Sequence, residues 1–345
     1  MERTFTTSGY PVSEVEKKRQ YRVVFKEVCT DVGRMQNLGD VMNVLQEVLI
    51  PLQLMHCAGW VHRDISSGNV LAYRSNEKQR WQAKLSDLEY AKEFPPTRGR
   101  AETKDSKIGT PYFMPHEILK NPYISIPTSV VEQARKELAN DDEDSDEMDD
   151  DSTEDGSSTE ENSPERDLSW HTVVHNPQHD VESLWWLGLW TLTVRVDHSP
   201  SRQWAKPIFR DTLNPSDARQ AAFVDVILDQ LRGCLHPNIR KPFAKRVEKF
   251  RERLYESYLL REAENNVLDL NAYRHLYKYA NSFFKGIRKG TSKWREQDLK
   301  DPQDLEDLHE LKRARSMMSN PATTSASREA HISSAQATSS KRRKG

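Results

Sequence analysis

From Asp40 onward the apolar positions fall into a helical rhythm. Val41, Val44, Leu45, Val48, Leu49, Leu52 and Met55 recur at steps of three and one. That spacing predicts an amphipathic helix with Asp40 as its N-cap, kinked at Pro51. Upstream, residues 21–27 (Y-R-V-V-F-K-E) are rich in β-branched and aromatic side chains and predict a strand. Downstream, Val70 and Leu71 begin a strand whose hairpin partner is Ala83 to Leu85, across a polar connection at 74–82. Residues 88–117 predict a loop, because Pro95, Pro96, Gly99 and scattered basic residues interrupt any period.

The densest apolar run is 180–196. Val181, Leu184, Trp185, Trp186, Leu187, Leu189, Trp190, Leu192 and Val194 leave almost no polar face, which predicts a helix buried on every side. It is too short and, with Asp180, Glu182 and Ser183, too polar to span a membrane. Further helices are predicted at 216–231, 242–264 and 270–287. Their stripes, such as Tyr273, Leu276, Tyr277, Ala280 and Phe284, read as core packing.

Composition modifies this picture in two places. Hydrophobic residues make up 36% of the 345 and charged residues 30%, so polar segments must dilute the core. Residues 141–165 hold fourteen of the 53 acids and no base, which predicts a disordered acidic insert. Outside it, 51 bases face the remaining 39 acids, a basic body. No nucleic-acid partner is expected from that balance, and no apolar run predicts a membrane partner. Residues 316–345 are Ser/Thr/Ala-rich and predict a disordered tail. Its end, Lys341-Arg342-Arg343-Lys344, resembles a short nuclear-import patch, so the expected location is intracellular, cytoplasmic or nuclear. Cys29, Cys57 and Cys234 stand far apart and read as reduced thiols. His171, His175 and His179 fall at four-residue steps, but Pro177 between them denies them one helical face, so no metal site is assigned there.

The candidate chemistry lies at 60–69. Here His62-Arg63-Asp64 is followed, after four residues, by Asn69, and Asp87 comes later in L-S-D-L-E. Phosphoryl transfer needs this set: one carboxylate for the attacking hydroxyl, and an amide oxygen and a second carboxylate for metal ions on the phosphates. Gly109-Thr110-Pro111 and Glu117 follow in the order of a protein-kinase activation segment.

With these landmarks the chain resembles the fungal-type protein kinase family, from about residue 21 to 196. The resemblance implies an α+β, protein-kinase-like fold: mostly the helical C-lobe, with a remnant of the N-lobe sheet. It implies ATP and Mg as cofactors and a protein Ser/Thr acceptor of unknown identity. It further implies roles. Asp64 would be the base or hydroxyl-positioning group. Asn69 and Asp87 would hold metal, with Asp87 bridging it to the phosphates. Arg63 would pair with a phosphorylated activation loop, Thr110 would bond near Asp64, and Asp180 would hold the catalytic-loop backbone. Glu117 would pair with an Arg further on. Ser66 stands where Ser/Thr kinases usually carry Lys, and Glu89 replaces the Gly of D-F-G, adding a carboxylate near the metals.

The organisation expected is a loose N-terminus (1–20), then sheet remnant, hinge, catalytic loop and activation segment (21–140). The acidic insert (141–165), the helical remainder (166–300) and the tail (316–345) follow. No G-x-G-x-x-G or V-A-I-K precedes Tyr21. Two rival expectations are therefore a catalytically weak pseudokinase or truncated C-lobe acting as a binding module, and a small-molecule phosphotransferase of the choline or aminoglycoside kinase sort.

Overall fold

Asn37, not Asp40, starts the first helix of the computed structural model, which describes residues 24–96, 109–124, 173–289 and 292–301. The Asn37 side chain accepts from Asp40 N at 3.0 Å, and α1 runs Leu38–Glu47. Asp40 lies one turn in, where an acid still favours the helix N-terminus. Its carboxylate accepts from Trp81 Nε1 at 3.0 Å, which ties α1 to the hairpin. The predicted kink is a full break: α2 is a separate helix, Leu49–Cys57. Pro51 is its third residue, in the first turn, where no intrahelical N–H is required.

The expected strand at 21–27 is corrected. Residues 21–23 lie outside the described set, and 24–29 form no strand. Val24, Phe25 and Val28 are 95%, 75% and 90% exposed, so their apolar pattern finds no surface to pack on. The strand comes later: β1, Thr30–Asp31, pairs antiparallel with β3, Val70–Tyr73, which pairs antiparallel with β4, Gln82–Leu85. The register Val70↔Leu85 to Tyr73↔Gln82 is the predicted hairpin, and Arg74 stacks 4.0 Å over Trp81 just beyond it. The loop expected at 88–117 is also corrected where it is described. A 3-10 turn, Leu88–Tyr90, leads into β5, Lys92–Glu93, which pairs with β2, Trp60–Val61. The helix α3, His116–Lys120, begins before the loop was expected to end.

The buried helix is α4, Pro177–Trp190, and all of its residues are buried. Its start precedes Asp180 because Asn176 caps it, with His179 closing a capping box, and Pro177 suits the first position. Each large side chain it buries contributes about 1.5–3 kcal/mol. Beyond it, Thr191–Arg195 form a π turn, and the Thr191 and Thr193 hydroxyls donate to the Leu187 and Leu189 carbonyls. Arg195, at the end of this turn, is fully buried. It donates to Val32 O, Met35 O and Lys300 O at 2.8, 2.6 and 3.0 Å, joining both ends of the described chain to the core.

The remaining helices are more broken than their apolar stripes predicted. Residues 216–231 divide into α6, Asp217–Val224, and α7, Leu228–Cys234, after α5, Ser199–Ala205. Ile227 N donates to Glu248 at 2.8 Å between them, so a buried carboxylate satisfies the break. Helix α8 begins before Pro242 and runs Pro237–Ala263. The last stripe is a 3-10 turn, Leu270–Tyr273, followed by α9, His275–Arg288. The architecture is α+β and dominated by helices, as expected. The 141–165 insert, the 316–345 tail and His171 lie outside the described residues. No described helix is long and apolar enough to cross a membrane.

Candidate active site

The loop after β2 is built on Asp180. Its Oδ2 accepts from His62 N at 2.7 Å and its Oδ1 from Arg63 N at 2.9 Å. Arg63 sits at φ 75, a left-handed conformation that costs a bulky residue and persists only where neighbours fix it. The buried carboxylate supplies that constraint. Burial raises its pKa, and His62 and Arg63 oppose the shift. The His62 ring then joins the loop to the hairpin: Nδ1 accepts from Asp64 N at 3.3 Å, and Nε2 lies 3.0 Å from Ser86 O.

Asp64 and Asn69 are brought together directly. Asn69 Nδ2 donates to Asp64 O and to Asp64 Oδ2, each at 2.9 Å. Two acceptors on one side fix the amide nitrogen there, so Asn69 Oδ1 faces away from Asp64. Thr110 closes the other side, donating through N at 2.9 Å and Oγ1 at 3.0 Å to Asp64 Oδ1. Gly109 makes this approach possible. It has φ 127, and a Cβ there would lie 3.1 Å from Arg63 O.

Asp87 sits beside them through the hairpin. Ser86 N and Oγ donate to Asn69 O at 3.0 and 3.1 Å, which sets Asp87 next to the Asn69 end of β3. Asp87 is exposed and left-handed at φ 61, and among the described residues its carboxylate has no hydrogen-bond partner. Asn69 Oδ1 and the Asp87 carboxylate are hard oxygen donors of the kind magnesium takes. Of the other expected residues, Ser66 is 5% exposed and its hydroxyl accepts from Asn69 N at 3.3 Å, bracing the turn. Arg63 Nη1 donates to Tyr90 O at 3.3 Å. Glu89 is exposed within the 3-10 turn that follows Asp87.

Glu117 is wired differently from the expected pair with an Arg. Its Oε2 lies 3.0 Å from His179 Nε2, and its Oε1 accepts from Ile124 N at 2.8 Å. Arg261 acts on it electrostatically, without a direct bond. Burial pushes the Glu117 carboxyl up to about 8, with Ile124 N–H and Arg261 pulling back. Burial also holds His179 well below the ordinary imidazole range.

Sequence reasoning missed two residues at this site. Glu182 Oε1 accepts from His116 N at 2.7 Å and Trp186 Nε1 at 2.8 Å, while Oε2 takes the Tyr258 hydroxyl at 2.6 Å. Arg219 donates to Tyr112 O at 2.8 Å and Met114 O at 2.9 Å. An acid inside an all-apolar helix was the available signal for Glu182. Arg219 gave none, since one Arg in a polar helix start reads as solvated.

The family described as fungal protein kinase matches residues 3–192, more than half of the chain. Serine/threonine-protein kinase max-2 of Caenorhabditis elegans is 38% identical over 81 residues, 24% of this chain and 11% of that protein. Serine/threonine-protein kinase pakA of Dictyostelium discoideum is 34% identical over 84 residues, 24% of this chain and 6% of its own length. Probable serine/threonine-protein kinase zyg-1 of Caenorhabditis elegans is 32% identical over 82 residues, 24% and 11% respectively. The match thus covers at most 11% of the length of these relatives. The match to the family, over residues that include the Asp64–Asn69–Asp87 site and its Asp180 anchor, leads to one conclusion: the chain belongs to the fungal protein kinase family.

Proposed function

We propose that the chain is a protein kinase domain that transfers the γ-phosphate of ATP to a Ser or Thr hydroxyl of a protein. The observation that carries this reading is the double restraint on Asp64. Thr110 occupies Oδ1 with two donors and Asn69 occupies Oδ2 with one. A carboxylate has about four lone-pair sites, so Oδ2 keeps one open, and that is where the acceptor hydroxyl would hand its proton. Holding the carboxylate still before the substrate arrives is what positioning catalysis requires.

Asp87 and Asn69 Oδ1 would hold magnesium with the nucleotide phosphates. When bound, that ion neutralises phosphate charge. Arg63, already engaged with Tyr90 O, suits the role of reading a phosphorylated activation segment, because a planar guanidinium pairs well with phosphate. The Gly109–Thr110 arrangement on Asp64 supports a protein acceptor over a choline- or aminoglycoside-type substrate, since it resembles a protein-kinase activation segment.

A second reading, a catalytically weak module that binds partners, is favoured by Ser66. Its hydroxyl is spent on Asn69 N, and no positive charge comes from that position. Steady-state phosphorylation of a mixed Ser/Thr peptide library by residues 1–345, beside Asp64→Asn, separates the two. Turnover abolished by Asp64→Asn supports transfer. Equal background in both proteins supports the binding module.

A further inference from the structure

Two buried side chains, one a donor and one an acceptor, grip one short stretch of backbone beside Asp64. Arg219 projects from the first turn of α6, is 4% exposed, and lies 3.9 Å over the Trp186 ring. Its guanidinium takes the carbonyls of Tyr112 and Met114, and Glu182, from α4, takes the N–H of His116. Three backbone groups within five residues are thus satisfied by the helical body rather than by water or regular structure. The same stretch is a turn closed on Thr110, whose carbonyl accepts from Phe113 N at 2.9 Å and Met114 N at 3.0 Å. Thr110 in turn puts two donors on Asp64 Oδ1.

The chemistry of the pair fits a clamp. Arg supplies two donors in a rigid fork that spans alternate carbonyls, which Lys cannot do. Burial lowers the Arg219 pKa to about 9 and Glu182 opposes the shift, so the side chain stays charged at neutral pH. Glu182 is pushed up to about 7 by burial, with Tyr258, Trp186 and the His116 N–H pulling it down. Burying these groups is costly, and an aliphatic helix contact would pack the core more cheaply. Their hydrogen bonds go to the segment that ends on Asp64, which is where the cost has a return.

We infer that Arg219 and Glu182 are positioning residues: they seat residues 112–116 and, through the turn on Thr110, hold the Asp64 carboxylate in its working orientation. This rests on the reading of Asp64 as the group that orients the acceptor hydroxyl, but its test does not need turnover.

The Thr110 amide proton reports on Asp64, because it donates to the carboxylate. In a 15N-labelled full chain at one fixed pH, Asp64→Asn, which replaces the carboxylate, should displace the Thr110 amide signal and set the scale of the response. Arg219→Gln should displace the same signal by at least half as much, while the His62 and Arg63 amides, held by Asp180, keep their positions. Arg219→Lys, which keeps the charge and loses the fork, covers the case in which Arg219→Gln does not fold and should show a smaller displacement. Glu182→Met, which removes the acceptor of the His116 N–H, should displace the Thr110 signal in the same way. An unmoved Thr110 amide in a folded Arg219 variant would overturn the inference, as would equal displacement of the His62 and Arg63 amides. Absence of phosphotransfer with the Thr110 displacements as described would count against the kinase reading and leave the clamp standing.

Discussion

Thr110 holds Asp64 through two hydrogen bonds to one oxygen, 2.9 Å from its amide and 3.0 Å from its hydroxyl, across 46 positions of sequence. Removing the hydroxyl alone leaves the amide bond and loosens the carboxylate. A hydrogen bond to a charged group contributes about 1.5–3 kcal/mol, so its full loss in the transfer step would be roughly ten- to a hundredfold. Thr110→Val is expected to lower kcat by about tenfold and to leave the KM for Mg-ATP unchanged. Steady-state kinetics with ATP varied at fixed peptide measures both. Unchanged kcat would show that the hydroxyl does not position Asp64.

Gly188 lies in the last turn of the buried helix α4, which continues into the Thr191–Arg195 π turn, and a Cβ built there meets nothing within 4 Å. It borders a small internal cavity lined by Leu45, Leu184 and Phe284 among others. Glycine in a helix interior costs about 0.5–1 kcal/mol relative to alanine. Gly188→Ala is therefore expected to stabilise the protein by about 1 kcal/mol, raising Tm by about 2–4 °C. Differential scanning calorimetry checks this. A lowered Tm would mean that the space beside Gly188 is needed.

The buried carboxyls set a pH dependence with a definite sign. Glu117 at about 8 and Glu182 at about 7 hold protons in the folded state that the unfolded chain, at the ordinary value of 4.5, has released. Their contribution is complete below pH 4.5 and is lost as pH rises through 7 and 8. His116 and His275, both lowered to about 4 by burial, act the other way, adding stability as pH rises from 4 to 6.5. The two trends oppose each other below pH 6.5. Above it the histidines are spent and stability falls toward pH 8, by at most about 1.4 kcal/mol per pH unit for each proton. Urea denaturation at pH 6.5 and 8 should show this fall, and Glu117→Gln, which has no titrating proton, should flatten it. A flat profile in the unmodified protein would contradict the account.

The legible parts of the molecule were those carried by local pattern. The all-apolar run marked the central helix, and Asp180 at its edge was assigned to the catalytic-loop backbone, which it does hold. The order of Asp64, Asn69 and Asp87 placed them near one hairpin end, and Thr110 was expected near Asp64. What escaped was set by contacts distant in sequence. Asn37, not Asp40, is the N-cap: Asp40 sits inside the first turn and its carboxylate takes Trp81, 41 positions away. The apolar pattern at 21–27, with Val24 and Phe25, read as a strand, but period alone cannot supply a neighbouring strand. Arg219 meets its carbonyl partners 105 and 107 positions away, and a buried cation is invisible in a polar stretch. Glu117 found His179 instead of an Arg, since the capping box of the buried helix turns that imidazole inward.

The most direct measurement is magnesium-dependent ATP binding by the full 345-residue chain, by isothermal titration with and without Mg, beside Asp87→Asn and Asp64→Asn. With Asp87 on the metal–phosphate group and Asp64 on the acceptor hydroxyl, binding is expected to require Mg, to fall at least tenfold in Asp87→Asn, and to stay within about twofold in Asp64→Asn. Binding that ignores Mg, or that is equal in all three proteins, would contradict these roles.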